Sequence, residues 1–142
     1  KKGFSNKKVE GDLTTPKGIF NLGNIYYRSD RVQKPFSKLK SISIKKNMGW
    51  CDDPNSKFYN KLIKIKKNLK ISHEKLYRKD HKYNFFILIK YNYKNPIKLK
   101  GSAIFLHLTK NYLPTKGCIA LCKKDFLILA KLISRKTMIK IN

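Results

Sequence analysis

The chain has 142 residues, enough for one domain with a real core. Hydrophobic residues at 41% and aromatics at 12% exclude wholesale disorder, and no apolar run approaches the ~18 residues needed to span a bilayer. Lys and Arg total 34 against 8 Asp and Glu, a formal charge of +26 that favours anionic partners: nucleic acid, anionic lipid or an acidic polymer. The lysines are dispersed, however, and richness in Lys, Asn and Ile together is also what AT-rich codons produce. The first residue is Lys1 and not Met, as expected for a processed product or a fragment, so a missing signal segment carries no information.

In chain order, EGDLTTPKGIF (Glu10 to Phe20) mixes turn formers with β-branched residues and reads as a loop feeding a strand. SKLKSISIKK alternates, which predicts a strand around 39–45. NMGWCDDPNSKFYN combines Gly, Pro, Asn and two adjacent Asp and reads as a long irregular loop. SHEKLYRKDHKY, from Ser72, has the signature of a capped helical turn. YNFFILIKY is a continuous apolar run, which predicts a central strand at 85–91 covered on both faces. SAIFLHL predicts a second buried strand at 102–107, and CIAL a short one at 118–121. In KKDFLILAKLIS, Phe126, Leu129, Ala130 and Ile133 fall on one face, which predicts a helix over 123–134. TMIKI closes the chain as a strand. The class is therefore mainly β with minor α, and 1–142 reads as a single domain.

Of three cysteines, Cys51, Cys118 and Cys122, at least one must remain free. There is no C-x-x-C pair and no zinc-type spacing, which argues against a structural metal site. The segment HLTKNYLPTKGCIAL holds a histidine, a loop, then glycine and cysteine. A thiol becomes a nucleophile as its thiolate, which a nearby base or cation favours. Gly117 lets a substrate approach the backbone, Lys116 adds a cation, and the loop through Pro114 can fold His107 back toward Cys118. A carbonyl near Leu108 would fix the imidazole tautomer. Buried cysteine and core histidine are the plain alternatives. Asp52 and Asp53 suit either a substrate amine or ordinary turn chemistry before Pro54. Trp50 and Tyr83 suit either a groove lining or aromatic packing. Cys122 stands where a helix N-cap is expected.

GSAIFLHLTKNYLPTKGCIAL resembles the signature of the L,D-transpeptidase (YkuD-like) catalytic domain: a histidine, a loop, then Ser/Thr-His-Gly-Cys, a hydrophobic residue and Arg or Asn. His107, Thr115, Gly117, Cys118 and Ile119 match. Lys116 stands for the second histidine, Ala120 for Arg or Asn, and the loop is short. These departures resemble one branch reading Pro-Thr-x-Gly-Cys-(Ile/Val)-Ala-Leu. EGDLTTPKGIF, GWCDDPNSKFYN and SHEKLYRKDHKYNFFILIKYN resemble that branch's other motifs, in the same order, over residues 10–141. A strand hairpin usual before EGD is expected to be missing here.

The resemblance implies a β-sandwich or mixed sheet with one C-terminal helix. It implies Cys118 as nucleophile, His107 as general base and acid, and backbone N–H groups at Gly117 and Cys118 for the oxyanion. Thr115, Lys116, Trp50, Asp52, Asp53 and Tyr83 would bind substrate. The implied partners are peptidoglycan stem peptides in the cell envelope, with anionic wall polymers and no specific nucleic acid, and no metal or organic cofactor is implied. The rival readings are an L,D-carboxypeptidase, a wall-binding relative without catalysis and a basic nucleic-acid module; the last lacks a recognisable readout motif.

Overall fold

The structure, a computed structural model, describes residues 2–142. Eleven strands and one helix follow one another: β1 (Phe4–Ser5), β2 (Thr15–Pro16), β3 (Gly18–Tyr27), β4 (Ser41–Ser43), β5 (Met48–Cys51), β6 (Leu62–Lys64), β7 (His73–Lys75), β8 (Phe85–Ile89), β9 (Phe105–Leu108), β10 (Ile119–Leu121), α1 (Lys123–Leu132) and β11 (Met138–Ile141). A mixed sheet runs in the order β10-β9-β8-β3-β11, with β4 also paired to β3. A smaller sheet, β6-β5-β7, is antiparallel, and β1 pairs β2 in parallel. The mainly β class with one short helix is as expected from the sequence.

Strand periodicity divides the interior in two. Every residue of β8 is buried. Phe85, Ile87 and Ile89 join one core, whereas Phe86 and Leu88 join the other, as a period of 2 requires. The first core is closed by α1, where Phe126 stacks on Phe85 at 5.8 Å and Ala130 is fully buried. The second holds Tyr26, Trp50, Leu76, Tyr83 and Phe105. On β9, Leu106 and Leu108 face the helix side. Phe105 and His107 therefore face the other. On β10, Ile119 and Leu121 pack on the helix-side core, while Cys118, just before the strand, packs on the second.

Element boundaries differ from the sequence reading in instructive places. The strand expected at 102–107 begins only at Phe105, because Gly101 (φ 94°) and Ala103 (φ 52°) are left-handed and interrupt the ladder. The strand around 39–45 shortens to Ser41–Ser43, and the helix over 123–134 ends at Leu132 because Ile133 is extended. Two expectations are overturned. Met48–Cys51 is a strand and not loop, and His73–Lys75 pairs beside it in place of a helical turn. Local turn signals lose there to the burial of Trp50, which is 1% exposed and packs edge-on against Tyr26 and Phe105.

Asn60 fastens this second layer. Its Oδ1 accepts Trp50 Nε1–H at 2.8 Å and Ala103 N–H at 3.1 Å. Its Nδ2 donates to the carbonyls of Asn92 at 2.6 Å and Tyr91 at 3.0 Å. Asn60→Asp keeps the shape but turns two donors into acceptors facing buried carbonyls. It is expected to cost about 3 kcal/mol or more, read as a lowered urea midpoint at unchanged m-value.

Candidate active site

One cavity of about 630 Å³ opens on the face carrying His107 and Cys118. A smaller groove of about 310 Å³, against Lys17–Ile19 and Lys140–Asn142, holds no Cys, His, Asp or Glu side chain. β10 runs parallel to β9 with Ala120 opposite His107. Cys118, two residues before Ala120, thus shares the cavity face with His107 on the adjacent strand. Strand spacing and rise put their Cα atoms roughly 8 Å apart.

His107 is 6% exposed, with Tyr83 edge-on to its ring at 5.6 Å. Its Nδ1 lies 2.9 Å from the carbonyl oxygen of Leu108. A carbonyl only accepts, so Nδ1 carries the hydrogen of the neutral ring and Nε2 keeps the basic lone pair. Burial lowers the imidazole's proton affinity, the Leu108 carbonyl partly restores it, and Lys82 and Arg78 lower it further.

Cys118 is partly buried, and its Sγ donates to the Ala103 carbonyl at 3.4 Å. Desolvation pushes the thiol up to about 11; the Phe105 backbone hydrogen bond and the charges of Lys8 and Arg78 oppose this, and Glu74 adds to it. Burial thus disfavours the charged form of both the thiol and the imidazole on this cavity face. Lys116, named from the sequence as the cation for this thiol, lines the cavity but is exposed.

Of the other residues singled out in the sequence, Thr115, Tyr83 and Asp52 also line the cavity. Thr115 Oγ1 donates to the Cys118 carbonyl and accepts the Gly117 N–H at 3.3 Å. Two expectations are corrected. Trp50 is packed inside the second core, away from the cavity. Asp53 accepts Asn55 N–H at 2.9 Å as a turn residue, so the Asp52–Asp53 pair is split. Gly117 also has a packing reason to lack a side chain. With φ at 114°, a Cβ there would strike the carbonyl oxygen of Thr14 from the same chain. Its missing side chain lets the β1–β2 loop pack beside Cys118.

The sequence reading missed the wall formed by Glu74, Arg78, His81 and Lys82. Arg78 bridges Glu74 at 2.8 Å and Asp80 at 2.7 Å. Two of only 8 acids, separated by an arginine in one short stretch, were the available signal. Asp52 Oδ1 and His81 Nε2 are buried without a hydrogen-bond partner, and both residues belong to this cavity. Among the described residues, no group of three or more His, Cys, Asp or Glu is placed to hold a metal ion, no helix is long and apolar enough to cross a membrane, and all three cysteines are free.

The fold is a β-rich domain with a thiol and an imidazole on one cavity face. The family model of the L,D-transpeptidase catalytic domain (YkuD) matches residues 2–141, and the chain belongs to that family. Comparisons with curated proteins and with solved structures returned no match.

Gly117→Ala must displace the Thr14 carbonyl and adopt a strained φ. The expected cost is about 2–3 kcal/mol, seen as a lowered melting temperature together with faster proteolysis of the β1–β2 loop.

Proposed function

We propose that this chain is a peptidoglycan L,D-transpeptidase that works through a thioester on Cys118. The observation that carries the reading is the shared cavity face of Cys118 and His107, with the ring hydrogen committed to Leu108 and Nε2 left as the base.

In the first half-reaction, His107 Nε2 takes the thiol proton as sulfur attacks the carbonyl carbon joining an L-centre to a D-residue. The carbonyl electrons move to oxygen, giving a tetrahedral oxyanion. When the C–O double bond re-forms, the C–N bond breaks and His107 returns the proton to the departing amine. A thioester remains. In the second half, an amine of another stem attacks the thioester, His107 removes its proton, and the thiol leaves reprotonated. Water in place of the amine gives the carboxypeptidase outcome.

Thr115 supports this chemistry by holding the Cys118 carbonyl. Tyr83 and Lys116 border the substrate space, and the unpaired Asp52 carboxylate suits a substrate ammonium. A peptidoglycan substrate places the protein in the cell envelope. The +26 charge would hold it to anionic wall polymers, an attraction that fades with salt and carries no nucleic-acid sequence preference.

Intact-mass measurement after incubation with a tetrapeptide stem or a carbapenem tests the reading. An acyl adduct on Cys118 is expected, absent in Cys118→Ala and formed about 100-fold more slowly or worse in His107→Ala. Persistent absence of the wild-type adduct favours a wall-binding relative without catalysis. Because the neutral imidazole is the base and its pKa is lowered, activity is lost only as pH falls through that lowered value. The acid limb of the kcat/KM profile is expected below the ordinary histidine value of 6.5; a limb above it would contradict the assignment.

A further inference from the structure

Two polar positions flank the nucleophile in the motif this chain resembles, and here they are Lys116, which is exposed, and Ala120, which carries no charge. A cation reaches the nucleophile from another segment. Lys8, in the β1–β2 loop, has a side chain only 4% exposed and lines the cavity. Its Nζ lies 2.7 Å from Asp12 Oδ1. Asp12 is in turn held by Val9 N–H at 2.8 Å, Thr14 N–H at 2.9 Å and the Thr14 hydroxyl at 2.8 Å. The ammonium is therefore fixed, whereas a lysine stem would otherwise carry it out to water.

Two left-handed glycines shape its slot. A Cβ at Gly101 (φ 94°) would come within 2.8 Å of Lys8 Cε, and one at Gly117 (φ 114°) would lie 3.7 Å from Lys8 Nζ. Gly117 immediately precedes Cys118. Lys8 lines the cavity, whereas Asp12 does not. Burying a lysine is costly even when paired, and a chain with 34 Lys and Arg has no need of this one for solubility.

We propose that Lys8 is the electrostatic partner of Cys118, its ammonium fixed by Asp12 and admitted by Gly101 and Gly117 so as to stabilise negative charge on the reacting sulfur. The purpose of that charge rests on the acyl-transfer reading; the interaction itself does not. Among the charges around the thiol, Glu74 of β7 acts most strongly and opposes the anion, while Lys8 from the β1–β2 loop and then Arg78 from the segment after β7 favour it. Tyr83 and His107 complete the surroundings. Arg78 is already bonded to two carboxylates, Glu74 and Asp80, and Lys8 to one.

Alkylation of Cys118 tests the proposal without requiring turnover, so a failed acyl-adduct experiment leaves it decidable. The thiolate displaces iodide from iodoacetamide or from anionic iodoacetate, and peptide mass spectrometry reads Cys118 separately from Cys51 and Cys122. At about pH 9, Lys8→Met is expected to slow the iodoacetamide reaction about tenfold, the effect of one unit in thiol pKa. It should also lower the iodoacetate-to-iodoacetamide rate ratio about threefold. Asp12→Asn should move both readouts the opposite way. A purely structural role would expose Cys118 to both reagents alike and leave the ratio unchanged in both variants, which overturns the proposal. Should Lys8→Met fail to melt cooperatively, Asp12→Asn decides alone: a raised ratio supports the role and an unchanged ratio ends it.

Discussion

The site hangs on one buried amide. Asn60 has two acceptor lone pairs and two donor hydrogens, and the fold uses all four. Its φ of 55° is one that asparagine tolerates better than most residues. The bond to Ala103 N–H matters most, because the Ala103 carbonyl is the acceptor for the Cys118 thiol. Trp50, Asn60, Ala103 and Cys118 thus form one chain of contacts from the small sheet to the cavity thiol. Tyr59, next door, does the same for the N-terminal segment: its hydroxyl donates to Glu10 and accepts Gly101 N–H at 3.1 Å. Motifs far apart in the sequence are therefore parts of one hydrogen-bonded frame around the cavity.

Net charge and local charge tell different stories. The chain is strongly cationic overall, yet the cavity gathers three of its eight acids, Glu10, Asp52 and Glu74, together with Lys8, Arg78, Lys82, Lys110 and Lys116. Most of the lysines act at long range through solvent, where salt screens them. The few charges at the cavity act at short range and with less screening. Desolvation pushes the thiol there up, against the pull of its cations. Under the proposed function, proton transfer to His107 would accompany attack on a bound substrate.

What the sequence disclosed follows from what each signal depends on. The β8 run and the α1 face are local patterns, and they appear nearly as expected. Strand β5 was hidden because its turn formers are overridden by the burial of a single tryptophan, and β7 because it exists only by pairing with β5. Asn60 and Lys8 were hidden for another reason. An asparagine in a polar loop and one lysine among many carry no local mark of burial; their importance lies in partners dozens of residues away. The same long-range packing gives Gly117 a role the sequence did not show, since a Cβ there would meet the Thr14 carbonyl.

The departures from the family's signature become intelligible at the register of β9 and β10. Ala120 stands opposite His107 and lines the cavity. A long side chain at 120 would project from that wall beside the imidazole. The small residue leaves that volume open, and the cation we propose for the thiol comes from the β1–β2 loop, where Lys8 enters between Gly101 and Gly117. Such an arrangement is self-consistent only as a set. Lys8 needs Asp12 to hold it, Gly101 to clear its stem, and Gly117 to bring the loop close. A change at any one of the four strands a buried charge or blocks the loop, so these positions are constrained together more tightly than Lys116, which is free to point into water.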